Sequence, residues 1–464
     1  MHHNIFSVGL IHFVGIGGIG MSGIAEVLHH MGHRVQGSDQ RATPVTDRLV
    51  SLGITVHQGH KAQWCKNVHA MVISTAIPAD NPEVLAAKKA CIPILTRAEM
   101  LAELMRFKTS IAIAGAHGKT TTTSLVATLL NGTVYDPTVI NGGIVNTYQS
   151  NAHMGDGGWM VVEADESDGS FTHLPATIGV VTNIDHEHLD FYKTPACVED
   201  AYRHFLKNIP FYGLAVMCLE ETAHLMPQDR RVLTYGFDQN AQVRAYDVRQ
   251  QNDGLLFNVH FHETDETWSD LFLPMVGDHN VLNSLAAISI AHYLNISADH
   301  VRYQLSQFGG VKRRFTYVQK NPFTVVDDYA HHPVEITKTI QAAQSLKPAG
   351  KLHVIMQPHR YSRLQGLFDD FAQAFDGADT VWLMPVYAAG EISDGCDQHT
   401  LGAALKAKHT TKPIHSFDHK KTLSTALYKA IQPGDFVLCL GAGDSSAWIY
   451  EFTEATQQKK DIAV

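Results

Sequence analysis

The sequence predicts an α/β protein built from three successive blocks. Two observations carry this. Short apolar runs alternate with helix-length amphipathic segments, the pattern of parallel, doubly wound sheets. Glycine-rich turns open helices directly after such runs in the first and second blocks. At 464 residues the chain is long for a single core, so two to four domains are expected. With 45% hydrophobic and 18% charged residues the composition is that of a folded globular protein without extended disorder.

The first block, 1–107, opens with a strand at Ile11–Val14 and a helix at Ile19–Met31. Strands near Arg34–Gly37 and Ala70–Ser74 follow, with helices at Asp47–Leu52 and Pro82–Ala90. The second block, 108–311, holds strands at Met160–Ala164 and Ile178–Thr182 and a helix near Ala196–Asn208. A β-rich stretch, Leu255–Phe261 and Leu271–Val276, precedes a helix at Val281–Leu294. The third block, 312–464, runs through strand Thr324–Asp328, helix Val334–Leu346, strand Leu352–Gln357, helix Leu364–Phe375, and strands Thr380–Met384 and Phe436–Leu440. The tail from Gln457 to Val464 is expected to fray.

Net charge is −10, so no basic surplus exists for general nucleic-acid binding. No apolar run reaches the roughly 20 residues of a membrane span, and Met1–Leu10 does not read as a secretory signal. The six cysteines lie far apart without a Cys-x-x-Cys pair, which reads as reduced, buried thiols in a cytoplasmic protein. His2 and His3 read as solvated N-terminal residues.

In the first block Gly15-Ile16-Gly17-Gly18-Ile19-Gly20 fits G-x-G-x-x-G, with Met21 and Ser22 continuing into the helix. The first glycine permits the tight turn, the second lets backbone approach a pyrophosphate, and the third allows close packing. Asp39 stands where an acid would reach a ribose hydroxyl. The ligand is a nicotinamide dinucleotide or a nucleotide-diphosphate sugar, since the turn grips pyrophosphate either way. Ser74-Thr75-Ala76-Ile77-Pro78 follows a strand and falls at the same sheet edge, where such folds bind ligands.

In the second block Ala114-Gly115-Ala116-His117-Gly118-Lys119-Thr120-Thr121 lies between an apolar strand and a helix. Backbone N–H groups at such a turn point at phosphate oxygens, the lysine neutralises charge and a hydroxyl can ligate magnesium. The general P-loop carries an earlier glycine; here Ile113 occupies that slot, giving a shorter G-x-x-G-K-T turn. ATP is the expected ligand. Glu163, Asp165 and Glu166 end an apolar strand, a position suited to holding Mg²⁺. After another strand, Asn183-Ile184-Asp185-His186-Glu187-His188 suits a phosphate-and-magnesium edge better than a structural zinc.

In the third block Asp327-Asp328-Tyr329-Ala330-His331-His332 and Gln357-Pro358-His359-Arg360-Tyr361-Ser362-Arg363 both end strands. Arginines and histidines at one sheet edge suit a carboxylate substrate, because guanidinium grips carboxylates with paired hydrogen bonds. Lys312-Arg313-Arg314, at the block junction, could bring a cation to a phosphate.

Taken in order, Gly-Ile-Gly-Gly-x-Gly-Met-Ser, Gly-x-His-Gly-Lys-Thr-Thr-Thr-Thr, Glu-Ala-Asp-Glu-Ser-Asp, Thr-Asn-Ile, His-Asn-x-x-Asn, Arg-Arg-Phe, Asp-Asp-Tyr-x-His-His-Pro and Gln-Pro-His-Arg-Tyr-x-Arg closely resemble the Mur ligase family. The likeness spans Gly15 to Asp444 and is greatest to the alanine-adding branch. A recycling paralogue typically has Cys at the first glycine turn, where this chain has Gly17-Gly18. The resemblance implies three domains: an N-terminal Rossmann-like UDP-binding domain, a central P-loop ATPase domain and a C-terminal Rossmann-like domain. It implies UDP-N-acetylmuramate on Gly15, Gly17, Gly18, Gly20, Met21, Ser22, Asp39, Ser74, Thr75, Ala76 and Asn81. ATP would lie on Gly115, Ala116, His117, Gly118, Lys119, Thr120 and Thr121, with Asn183, His279, Asn283 and Arg314.

The same resemblance gives Mg²⁺ to Thr120, Glu163 and His188, and L-alanine to Tyr329, His331, Arg360 and Arg363. Lys119, Glu163, His188 and Arg314 would serve catalysis. One departure is Ala116, where the family usually carries a hydroxyl. Other branches use a carbamylated lysine; none stands out between Glu163 and His188. The implied partners are small molecules, not nucleic acid or membrane, with the chain a monomer or homodimer whose domains close during the reaction. Competing readings are an NAD-dependent oxidoreductase, a non-catalytic UDP-sugar sensor, a folate-polyglutamate enzyme and the recycling ligase.

Overall fold

Strand Leu10–Val14 forms the middle of a five-stranded parallel sheet. The order is Thr55–Gln58, Arg34–Asp39, Leu10–Val14, Val68–Ile73, Ile94–Thr96. Connections leave Leu10–Val14 in opposite directions, so a crevice opens at its carboxyl end between Gly15 and Ser74, as doubly wound sheets require. The computed structural model describes residues 9–185, 187–346, 348–393 and 395–461; His2, His3 and His186 lie outside them.

The second sheet has ten strands, with Thr109–Ala114 between Ile178–Val181 and Trp159–Glu163. Its central strands are fully buried apolar runs, as expected for strands covered on both faces. On one side the sheet continues through Thr138–Val145 to Ser150–His153. On the other it passes Leu214–Cys218, Val232–Gly236, Val243–Gln251 and Gly254–Phe261 to Glu266–Leu273. The third sheet has six strands: antiparallel Thr316–Gln319 at one edge, then Thr324–Asp328, Phe436–Leu440, Leu352–Met356, Thr380–Leu383 and Ile414–Ser416, all parallel.

The chain forms two compact units. One comprises residues up to Asp247 with Phe257–Phe272 and Leu282–Gly309; the other comprises Val248–Leu256, Leu273–Val281 and Gly310 onward. The first sheet and most of the second therefore share a unit. Helix Ile19–His30 packs on strands Thr138–Val145 and Ser150–His153 of the second sheet. Asn151 Nδ2 donates to the Ile19 carbonyl at 2.5 Å, and a Cβ on Gly23 would lie 2.9 Å from that same nitrogen.

Helix starts follow local chemistry. Thr43 and Thr96 complete capping boxes, while Asn81 and Thr194 cap helices that begin with Pro82 and Pro195. Helices Ile19–His30 and Lys119–Leu130 differ: each starts after a glycine, without a side-chain cap or an acid in the first turn. Helix starts of this kind suit an anion.

Several expectations need correction. The single helix at Leu364–Phe375 is two, Tyr361–Gly366 and Phe368–Gln373, because Gly366 and an extended-leaning Leu367 (φ −121°) interrupt it. Of the tail expected to fray, Gln457 to Asp461 continues the helix from Ser445, while residues 462–464 lie outside the described residues. The cysteines are not uniformly buried: Cys91 and Cys197 are exposed, in a turn and a first helical turn. Cys65, Cys218 and Cys439 are buried, and burial pushes the Cys65 thiol up to about 11 and Cys218 up to about 12. Among the described residues no helix is long and apolar enough to cross a membrane.

Candidate active site

The phosphate turn is built where strand Thr109–Ala114 hands over to helix Lys119–Leu130. Gly118 caps that helix at φ +83°, a left-handed conformation that L side chains resist, and an added Cβ would lie 2.3 Å from Asn283 Oδ1. Asn183 brackets the turn: its carbonyl accepts from Ala116 N at 3.1 Å and its Oδ1 from His117 N at 2.8 Å. Asn183 Nδ2 donates back to the His117 carbonyl at 2.9 Å. Thr120 to Thr123 are all buried, and Thr122 Oγ1 donates to Asn283 Oδ1 at 3.2 Å. His279 stands one turn before Asn283 on helix Asp278–Tyr293.

Lys119 Nζ donates to the carbonyls of Gly115 and Ala116 at 2.6 and 2.9 Å and to Glu166 Oε1 at 2.8 Å. Burial opposes its charge, yet Glu166 and Glu163 outweigh this and raise its pKa. Glu166 is buried and its carboxyl is pushed up to about 7 by desolvation, against the pull of Lys119. Among the described residues its Oε2 has no hydrogen-bond partner. Glu163 Oε2 instead accepts from Gly142 N at 2.8 Å, and a Cβ at Gly142 would meet that carboxylate at 2.6 Å.

His188 Nε2 lies 3.9 Å from Glu166 Oε1 and 3.8 Å from Glu187 Oε2. One ligand atom from each of Glu166, Glu187 and His188 falls within 4.8 Å of the others. Two carboxylates and an imidazole beside a phosphate turn fit a hard divalent cation. His117 Nε2 adds a contact to Asp185 at 3.1 Å.

At the first glycine turn, Gly15 N and Ile16 N donate to the Ser38 carbonyl at 2.8 and 3.0 Å. Asp39 Oδ2 accepts from Gly17 N at 2.9 Å, so the acid braces the turn itself. Ser74 Oγ accepts from Ala76 N at 3.3 Å; Thr75 and Ala76 are exposed, and Asn81 is buried as a helix cap. Met21 and Ser22 are buried in the first helix. Arg97 links the first glycine turn to the second sheet: its Cδ lies 2.8 Å from where a Gly20 Cβ would be, and its Nη2 reaches Asp165 Oδ2, just past strand Trp159–Glu163, at 3.0 Å. Burial opposes the Asp165 charge, but Arg97, the hydrogen bonds from Ser167 and the charge of Lys119 together outweigh it and lower the pKa.

In the other unit, the guanidinium carbons of Arg313 and Arg314 stand 4.8 and 5.2 Å from the Tyr329 ring centre, at cation–π distance. Arg314 Nη1 is 3.9 Å from Glu335. Rings run on from Tyr329 to His331 at 5.2 Å, His359 at 6.0 Å and Tyr387 at 5.4 Å. Burial, then His331 and Arg363, lowers His359 to about 4, so its neutral Nδ1 faces Arg363 Nη1 at 3.4 Å. Arg360 Nε donates to Glu391 Oε1 at 2.8 Å.

The structure thus brings Lys119, His188 and the phosphate turn together in one unit, and Tyr329, His331, Arg360 and Arg363 onto one sheet edge in the other. Sequence reasoning did not assign Arg97, Glu187, Tyr387 or Glu391, and took Glu166 and His359 only as members of their motifs. Glu166, Glu187 and His359 lie inside motifs that drew notice, so their signal was present. Arg97, Tyr387 and Glu391 follow no periodic pattern.

Family models match in chain order: the Mur ligase family catalytic domain at 10–109, its middle domain at 113–291 and the Mur ligase glutamate ligase domain at 313–443. The chain is 50% identical over 474 residues to the UDP-N-acetylmuramate–L-alanine ligase of Brucella ovis, covering 98% of this chain and 99% of that one. It is 49% identical over 453 residues to the enzyme of that name from Rhodopseudomonas palustris, covering 96% and 97%. The crystal structure of the UDP-N-acetylmuramate–alanine ligase of Thermotoga maritima superposes with a TM-score of 0.82 at 30% identity, covering 97% of this chain and all of that one.

Proposed function

Because the chain belongs to the Mur ligase family, an ATP-dependent ligase family, we propose that it joins L-alanine to the lactyl carboxylate of UDP-N-acetylmuramate in building peptidoglycan precursors. ATP is split to ADP and phosphate. One observation supports this most: Lys119 Nζ at an uncapped helix start, gathered with Glu166 and close to His188. That is the equipment of phosphoryl transfer.

In this reading the domains divide at 107/108 and 311/312. UDP-N-acetylmuramate lies across Gly15 to Ser22, with Asp39, Ser74, Thr75, Ala76 and Asn81. ATP lies on Gly115 to Thr121, with Asn183, His279, Asn283 and Arg314. The lactyl carboxylate attacks the γ-phosphorus, giving an acyl phosphate and ADP. The neutral amine of L-alanine, its carboxylate held by Arg360 and Arg363, attacks the acyl carbon, and phosphate leaves with the former carboxylate oxygen. Lys119 and Arg314 neutralise the transferring phosphoryl, and catalysis is chiefly positioning and charge stabilisation. Thr120, Glu163 and His188 would hold Mg²⁺; Glu166 and Glu187, whose carboxylates gather with His188, would be further ligands. Bound there, the ion supplies further charge neutralisation on the phosphates. A nucleotide-linked sugar and ATP as substrates support a cytoplasmic reaction.

The test is phosphate release with ATP, UDP-N-acetylmuramate and each common amino acid in turn. Release should need all three substrates and be fastest with L-alanine. Release fastest with a murein peptide would assign the recycling reaction, and binding without release would assign a sensor.

A further inference from the structure

We propose that Tyr387 and Glu391, on the loop after strand Thr380–Leu383, form a clamp that fixes Arg360 and His359 and so sets the grip on the incoming amino acid. This rests on the reading that Arg360 and Arg363 hold that substrate's carboxylate. Glu391 is a positioning residue for Arg360, not a ligand of the substrate.

The backbone at Arg360 calls for such a clamp. Its φ is +69° with ψ 132°, a conformation that residues other than glycine rarely adopt and that persists only when neighbours enforce it. Tyr387 enforces it from the main chain. Arg360 N donates to the Tyr387 carbonyl at 2.9 Å, and Tyr387 N donates to the Pro358 carbonyl at 2.8 Å. Together they make a one-residue parallel bridge between His359 and Tyr387. The Tyr387 ring then stacks on His359, centroids 5.4 Å apart and planes within 15°. The loop is seated in turn against Gly443, where a Cβ would come within 2.7 Å of the Tyr387 ring.

Glu391 completes the clamp from the side chain. One oxygen accepts from Arg360 Nε at 2.8 Å and from Ser362 Oγ at 2.7 Å, and the other from Ser362 N at 3.0 Å. Both carboxylate oxygens are therefore occupied by the same helix start that carries Arg360. Burial works against its charge, but the bonds from Ser362 and Arg360 outweigh this and hold the carboxyl down to about 2. The ion pair uses only the Nε edge of Arg360. Its two Nη groups have no protein partner among the described residues and retain donors for a carboxylate. A guanidinium gripped on one edge presents the other in a fixed direction, which a flexible arginine cannot do.

Steady-state kinetics on the full chain test this, with Glu391→Gln, Glu391→Ala and Tyr387→Leu beside the reference variants Arg360→Ala and Arg363→Ala. The Glu391 and Tyr387 variants should raise KM for L-alanine about tenfold or more. Their KM values for ATP and UDP-N-acetylmuramate should stay within about twofold, a split that general loosening of the fold would not produce. An unchanged KM for L-alanine, or all three KM values rising together, would overturn the clamp. If the arginine variants raise KM for L-alanine while the clamp variants do not, the clamp alone is wrong. If the arginine variants leave it unchanged too, the assignment of the amino-acid site is wrong. Glu391→Gln keeps the side chain's shape and decides the matter should Glu391→Ala fail to fold.

Discussion

Lys119→Ala should slow turnover about a hundredfold or more, because it removes a cation aimed at the transferring phosphoryl from a site that keeps its other parts. Single-turnover ADP formation reads this directly, and near-normal turnover would show that Lys119 serves only the fold. His359 gives a second expectation at this scale. Its pKa falls from 6.5 to about 4 on folding, so between those values the unfolded chain takes up a proton that the folded one refuses. Its contribution to stability is present above 6.5 and lost as pH falls towards 4. Urea midpoints at pH 7 and pH 5 should differ less for His359→Gln than for the parent; equal differences would contradict the burial assigned to this ring. Legibility at this scale was uneven. Lys119 could be read from its motif, because a Gly-Lys-Thr turn admits few other uses. Asp39 could be placed at the glycine turn from spacing, but the hydrogen bond that its carboxylate accepts from Gly17 N depends on turn geometry no spacing rule contains.

Helix Lys119–Leu130 begins on a glycine in the left-handed region with Asn283 pressed against it. Gly118→Ala should cost roughly 1–2 kcal/mol from backbone conformation alone, with a further loss because the methyl group would overlap Asn283 Oδ1. Thermal unfolding should report this as a lower midpoint, together with weaker ATP binding; an unchanged midpoint would mean that the turn relaxes freely. Largely buried strands such as Thr324–Asp328 and Phe436–Leu440 were legible to the residue, because β-branched and apolar residues bounded by polar turns leave little choice. Edge strands Thr55–Gln58 and Ile414–Ser416 were not, being short, partly exposed and defined by their neighbour more than by their composition. The break at Leu367 was also hidden, since Gly366 alone does not foretell where a helix restarts.

At the scale of the whole molecule, the motifs conveyed three sheets in the right order, each with its strand-end loops carrying chemistry. The sharing of one compact unit by the first sheet and most of the second was not legible. It arises from contacts such as Asn151 with the Ile19 carbonyl and Arg97 with Asp165, between residues more than 60 positions apart in sequence. Reactants held by different domains must be brought together, so scattering profiles should show a smaller radius of gyration with ATP analogue and UDP-N-acetylmuramate than without. Identical profiles would argue against closure. The central claim is chemical: a carboxylate is activated by phosphoryl transfer before the amine attacks. Oxygen-18 in the lactyl carboxylate of UDP-N-acetylmuramate tests it most directly. One labelled oxygen should appear in each phosphate released with L-alanine and ATP; peptide bond formation with unlabelled phosphate would contradict it.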